Sequence, residues 1–241
     1  MRVEPVLLAR LGALAARHGL DERQHGQLTT LLSVLAEEQA PTSVSSPGEA
    51  VDVHLADSLA ALELEQVRAA RTLADLGAGA GLPGLPLAIA LRETDVRLVE
   101  SQSRKCLFLE SAVARVGLDN GRVVCVRAEE WAAGGERHDV VVARALAPGP
   151  VVLEYAAPLL RLGGTLVDWR GRRAPAGEEA AQRAADTLGL RRVEVRRVEP
   201  FAGARDHHLH VYEKVEQTPE RFPRRPGMAR KRPLGALAAG R

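Results

Sequence analysis

Residues 73–90 read LADLGAGAGLPGLPLAIA: an apolar run carrying Asp75, then four glycines and two prolines between Gly77 and Pro86, then apolar residues again. The pattern is strand, tight loop, helix, and glycines so placed let main chain approach a ligand closely. Gly79-Ala80-Gly81-Leu82-Pro83-Gly84 is formally G-x-G-x-x-G, and Glu100 closes the next apolar run about twenty residues on, as in a dinucleotide fold. Two cofactor classes fit, a nicotinamide dinucleotide and a methyl-donating sulfonium. Asp75, just ahead of the glycines, suits a sulfonium or ammonium group better than a pyrophosphate. Pro83 and Pro86 remove two N–H donors that a pyrophosphate would use. In either case Glu100 is placed to accept hydrogen bonds from a ribose diol, and the methyl donor is the better fit.

Around this loop the chain alternates short strands and helices. Strands are predicted at Thr72–Leu76, Val96–Glu100, Arg122–Arg127, Asp139–Ala143, Thr165–Trp169, Arg192–Val198 and His208–Glu213. Helices are predicted at Pro83–Leu91, Arg104–Val116, Val151–Leu160 and Glu178–Leu188. The alternation argues for an α/β fold with a mostly parallel sheet covered on both faces. No helix separates the last two strands, so the final one should run antiparallel. Upstream, apolar positions at helical spacing (Val6, Leu7, Leu11, Leu14; Leu28, Leu31, Leu32, Leu35) give two helices, and EAVDVHLADSLAALEL a third. The expected organisation is an N-terminal helical segment over 1–70, a core over 71–215 and a basic tail over 216–241.

The 241 residues, 46% of them hydrophobic, suffice for one good core. No apolar run is long enough to span a membrane, and the N-terminal stretch reads as an amphipathic helix rather than a signal peptide. Cys106 and Cys125 lie in apolar patterns and are expected to be buried, reduced structural thiols of a cytoplasmic protein. The net charge of +2 is uneven: residues 217–241 hold seven Lys or Arg against Glu220 alone, and the first 216 residues hold 26 basic against 30 acidic. A basic tail suits phosphates, although thirty arginines against three lysines also indicate a general bias toward Arg. His207, His208 and His210 have no Cys or carboxylate at ligand spacing and read as solvated strand histidines rather than metal ligands.

LADLGAGAGLPGLPLAIA, LVESQSRKCLFLE (98–110), VRAEEW (126–131), DVVVARALAP (139–148) and PLLRLGG (158–164) occur in the order and spacing of one family. The chain resembles the ribosomal RNA small-subunit methyltransferase G family, also called glucose-inhibited division protein B. VHLADSL (53–59) and RFPRRPGMARKRPL (221–234) extend the resemblance to about Val51–Leu234. It implies a class I S-adenosylmethionine-dependent methyltransferase fold with seven strands, and methylation of N7 of a guanine in small-subunit ribosomal RNA. It also implies cofactor contacts at Gly77, Leu82, Ala128, Glu129 and Arg144, beside the Gly79 and Glu100 already singled out. The tail residues Arg224, Arg225, Arg230 and Lys231 are the expected RNA contacts, on naked RNA or an assembling ribosomal particle, with the enzyme a monomer and no metal required. His54 and Asp57, three apart on one helix face, either pair to shape the substrate entrance or knit the N-terminal helices to the sheet. Two departures stand out. Ala40-Pro41-Thr42 replaces the family's Asn-Leu-Thr with no preceding Trp, and Arg170-Gly171 stands where Lys-Gly is common.

Guanine N7 has a free lone pair and no proton, so its methylation needs alignment rather than a general base. The Asn/Asp-Pro-Pro-aromatic motif of amino-group methylation is missing after the fourth strand. Neither cysteine is placed as the nucleophile that pyrimidine C5 methylation requires. Seven aromatic residues are too few for an extended base-stacking platform, so RNA would be held through phosphates and shape. The competing readings are a small-molecule methyltransferase, a nicotinamide oxidoreductase and a non-catalytic ribosome-associated factor.

Overall fold

The computed structural model describes residues 5–37, 40–42, 44, 46–131 and 134–236. Seven strands form one sheet in the order β3-β2-β1-β4-β5-β7-β6. They are β1 Thr72–Leu76, β2 Asp95–Glu100, β3 Gly121–Cys125, β4 His138–Arg144, β5 Leu160–Arg170, β6 Leu190–Arg197 and β7 His208–Lys214. All neighbours are parallel except those of β7, which runs antiparallel to both β5 and β6, as the missing helix before it required. Strand order reverses between β1 and β4, and in such sheets the crevice outside the carboxyl ends at that point receives the ligand.

Side chains alternate across the sheet and separate two cores. Leu73, Val140, Val142, Val167, Leu209 and Val211 face α6 (Gly84–Ala90), α7 (Ser103–Val116) and the N-terminal helices. Ala74, Leu76, Val141, Ala143, Leu166 and Tyr212 face α8 (Gly149–Ala156) and α9 (Pro175–Leu188). α1 (Pro5–Arg17) and α2 (Glu22–Leu35) bury Leu11, Leu28, Leu31 and Leu32 completely. Asp21 starts α2 with a reciprocal capping box to Gln24. The N-terminal segment therefore shares its core with the sheet.

Three expectations change. The predicted third helix is broken: α3 (Pro47–Ala50) leads into a π-helical stretch Val51–Ala56, then α4 (Asp57–Leu59), a 3-10 turn Ala60–Glu63 and α5 (Glu65–Arg68). The wider π turn displaces the side chains, so His54 and Asp57 do not pair. His54 Nε2 lies 2.7 Å from Thr42 Oγ1 instead. The cysteines are not free thiols, because the crossover from β2 through α7 to β3 brings the first turn of α7 against the last residue of β3. Cys106 and Cys125, 5.8 Å apart at Cα, are joined as a disulfide, and Cys125 is exposed.

The tail is not a loose basic arm. Phe222 and Ala229, the latter in α10 (Met228–Lys231), are buried in the core beside α8. Arg224 is committed to Glu154, whose Oε1 takes the Arg224 amide at 3.1 Å and Nε at 2.8 Å, and whose Oε2 takes Nη2 at 2.5 Å. Glu154 is 1% exposed, so burial demands this partner.

Candidate functional site

The glycine loop crosses the carboxyl end of the sheet and is fastened to β2. The amides of Gly77 and Ala78 both donate to the Val99 carbonyl, at 2.8 and 3.0 Å. Gly77 and Gly79 have φ of +69° and +59°, the left-handed region that side chains disfavour. A Cβ at Gly77 would also lie 2.5 Å from Leu146 Cδ1. Gly79 donates its amide to Glu100 Oε2 at 3.1 Å, while Oε1 of the same carboxylate takes the amides of Ser101 and Gln102 at 2.7 and 2.9 Å. Glu100 thus joins the loop to the start of α7, almost fully buried, at the end of β2 where a ribose diol would be read.

Asp75 does not project into the cleft, contrary to the sequence reading. It is wholly buried, and its Oδ2 accepts the Gly84 amide at 2.8 Å. A Cβ on Gly84 would come within 2.6 Å of that oxygen, so the acid and the glycine are fitted to each other. Among the described residues Oδ1 has no hydrogen-bond partner, and desolvation pushes the carboxyl pKa up to about 7 against the Gly84 bond and the Arg144 charge.

A cavity beside the loop is lined by Gly77, Val99, Ser101, Ala128, Glu129, Leu146, Tyr155 and Arg230. It brings together Gly77, Ala128 and Glu129, three of the residues for which the family resemblance implied cofactor contacts. Leu82 turns its side chain into the core on the N-terminal side and does not line the cavity. Glu129 Oε1 accepts the Gly227 amide at 3.3 Å, and Arg230 Nη2 donates to the Leu146 carbonyl at 3.0 Å. Arg230, expected on RNA, is therefore a wall of this cavity. Tyr155 and Leu146, absent from the sequence reading, are others. Both lie in the apolar run after β4, where nothing in the sequence distinguishes a cavity wall from core. Arg225 and Lys231 remain exposed.

Arg144 ends β4 on the opposite face of the sheet from that cavity, toward the N-terminal helices. Its Nη1 donates to the Val53 carbonyl at 2.9 Å and to Asp57 Oδ2 at 2.8 Å. Of the three histidines near β7, expected to be solvated, His208 and His210 are buried and His207 is partly exposed. His207 Nδ1 lies 2.9 Å from Asp57 Oδ1, and His208 Nδ1 lies 3.0 Å from the Gly171 carbonyl. His210 is buried with no partner for Nε2 among the described residues, and desolvation lowers its pKa to about 4. His210 helps to line a larger cavity of about 490 Å³ with Asp168, Arg170 and Tyr212, between α8 and α9, which none of the predicted cofactor residues enters. Among the described residues, no group of three or more His, Cys, Asp or Glu could hold a metal ion. No described helix is long and apolar enough to cross a membrane.

The loop, the buried ribose-type carboxylate and the adjoining cavity fit an adenosyl sulfonium. Gly77, Gly79, Glu100, Ala128 and Glu129 are the residues that would hold it. Solved structures share the fold. Aeropyrum pernix fibrillarin, with natively bound S-adenosyl-L-methionine, matches with a TM-score of 0.51 at 20% identity over 65% of this chain and 72% of that one. A Methanococcus jannaschii fibrillarin pre-rRNA processing protein matches at 0.52 and 19% identity, over 64% and 70%. Sequence relatives lie nearer. Proteins named ribosomal RNA small subunit methyltransferase G are 36% identical in Pelotomaculum thermopropionicum, over 89% of this chain and 92% of that protein. The Rubrobacter xylanophilus protein of that name is 41% identical, over 75% and 72%, and the Carboxydothermus hydrogenoformans protein 36%, over 94% and 99%. The family model described as rRNA small subunit methyltransferase G (GidB) matches residues 22–208, and with the glycine loop, Glu100 and Arg144 inside that span the chain belongs to this family.

Proposed function

We propose that this protein is a cytoplasmic S-adenosylmethionine-dependent methyltransferase acting on N7 of a guanine in small-subunit ribosomal RNA. The observation that carries the reading is the Glu100 carboxylate, held between the Gly79 amide and the Ser101 and Gln102 amides that lead into α7, at the strand switch point. S-adenosylmethionine, when bound, supplies a methyl group already activated on a positively charged sulfur. Glu100 receives the ribose hydroxyls, and the left-handed Gly77 and Gly79 let the loop backbone lie against the ligand.

Family membership and chemistry together favour the N7 acceptor. An unprotonated ring nitrogen needs alignment and exclusion of water, not a base. Arg144 presents a guanidinium at the carboxyl end of β4, beside the switch point, and the exposed Arg225 and Lys231 offer charge to RNA phosphates. The test is nucleoside analysis of small-subunit RNA from a strain lacking the gene. One 7-methylguanosine should disappear and return with the wild-type gene. An unchanged 7-methylguanosine content would contradict the assignment.

A further inference from the structure

Arg144 reaches its two partners through one nitrogen. Nη1 donates both to the Val53 carbonyl and to Asp57 Oδ2, while Nε and Nη2 have no partner among the described residues. The side chain is 17% exposed. One edge of the guanidinium is thus anchored and the other is left to act. Val53 lies inside the π-helical stretch Val51–Ala56, a form that recurs at functional sites.

Asp57 is itself fixed from several sides. Its Oδ1 meets His207 Nδ1 at 2.9 Å, and its backbone carbonyl accepts Trp169 Nε1 at 3.0 Å. The residue is 5% exposed. Because a carboxylate only accepts, His207 must carry its proton on Nδ1 and donate it. Segments far apart in the chain, carrying Asp57, Arg144, Trp169 and His207, meet at this one acid. Holding a carboxylate so deeply costs desolvation, and such an ion pair is weak as a source of stability. What it gives is orientation.

We infer that Asp57 and His207 are positioning residues for Arg144: the Asp57 carboxylate fixes the guanidinium at the carboxyl end of β4 with its Nε and Nη2 left available, and His207 fixes the carboxylate. This rests on the reading of Arg144 as part of the methyl-transfer site. Asp57 and His207 touch neither cofactor nor RNA.

The experiment is single-turnover methylation of small-subunit particles at saturating S-adenosylmethionine, with cofactor affinity and thermal midpoint measured on every variant. Arg144→Ala should lower the rate by about 100-fold or more, and Asp57→Asn by roughly 10-fold. The double variant should be no slower than Arg144→Ala alone, since Asp57 acts only through Arg144. His207→Ala should slow the reaction by about 5-fold, and His207→Asn, whose amide nitrogen can donate from the place of Nδ1, should come within about twofold of wild type. Cofactor affinity should stay near wild type in the Asp57 and His207 variants. A double variant slowed by the product of the single effects would overturn the inference, as would an unchanged rate in Asp57→Asn while Arg144→Ala is inactive. If Asp57→Asn proves unstable, the two His207 variants decide, and equal rates for them overturn it. A wild-type rate for Arg144→Ala overturns the reading of the site, and the inference with it.

Discussion

Glu100 and Gly79, twenty-one residues apart, meet at 3.1 Å across the switch point, the glycine amide donating to the carboxylate. The same carboxylate takes two further amides at the start of α7. Glu100→Ala would leave all three donors without their acceptor, and should weaken S-adenosylmethionine binding by about 10-fold or more while costing roughly 1–3 kcal/mol of stability. Calorimetry and urea unfolding measure the two effects separately.

A side chain at Gly79 meets space but the wrong backbone. Its Cβ would lie 3.7 Å from the Gly77 carbonyl oxygen, yet φ is +59°. Gly79→Val should therefore cost about 1–2 kcal/mol in left-handed strain and also put a branched side chain on the ligand face of the loop. The expected result is a folded protein with cofactor binding lost. Unchanged binding would remove the loop from the site.

The tail divides into two kinds of basic residue. Arg230 walls the cavity beside the glycine loop and Arg224 neutralises buried Glu154, whereas Arg225 and Lys231 only face solvent. Replacing Arg225 and Lys231 with Ala should lower the slope of log affinity for RNA against log salt by about 1–2, and leave cofactor affinity alone. Arg230→Ala should weaken cofactor binding several-fold. Removal of residues 219–241 should do both and destabilise the fold through Glu154. An equal effect of all these changes on cofactor binding would contradict the division.

Buried titratable groups shape the dependence of stability on pH. Asp75 ionises near 3.8 when unfolded and at about 7 when folded. Between these values the folded state holds the extra proton, so this group's contribution to stability falls as pH rises from about 4 to about 7. Asp168 behaves alike. His18, His54, His138 and His210, lowered to about 4 chiefly by burial, act oppositely: their contribution is lost as pH falls from 6.5 toward 4. The four histidines outnumber the two acids, so overall stability should rise with pH across this window. Asp75→Asn should rise more steeply than wild type over the same range, read from urea midpoints. A variant gaining nothing relative to wild type as pH rises would show that Asp75 ionises normally in the folded protein.

Much of this was legible in the sequence because the information was local. The apolar runs placed all seven strands, and the lack of a helix between residues 198 and 208 gave the antiparallel β7. The glycine loop and Glu100 stand at strand ends, where a short motif fixes its own geometry, whereas Ala128 and Glu129 were implied only by the family resemblance. The rest depended on distance along the chain. The partners Asp57, Arg144 and His207 span 150 residues, and no periodicity links them. Asp75 reads as a cleft acid until Gly84 is seen to take it inward. The Cys106–Cys125 bond follows from where α7 docks on β3, not from a spacing of nineteen. The tail's charge suggested an arm for RNA, while Phe222 and Ala229, two small signals in a basic stretch, held it to α8.

The most direct test incubates the purified protein with small-subunit particles from the deletion strain and S-adenosylmethionine carrying a deuterated methyl group, followed by digestion and mass spectrometry of the nucleosides. The label is expected in 7-methylguanosine at a single RNA position, abolished by Glu100→Ala and by Arg144→Ala. Label in another nucleoside, or none in RNA despite tight cofactor binding, would contradict it.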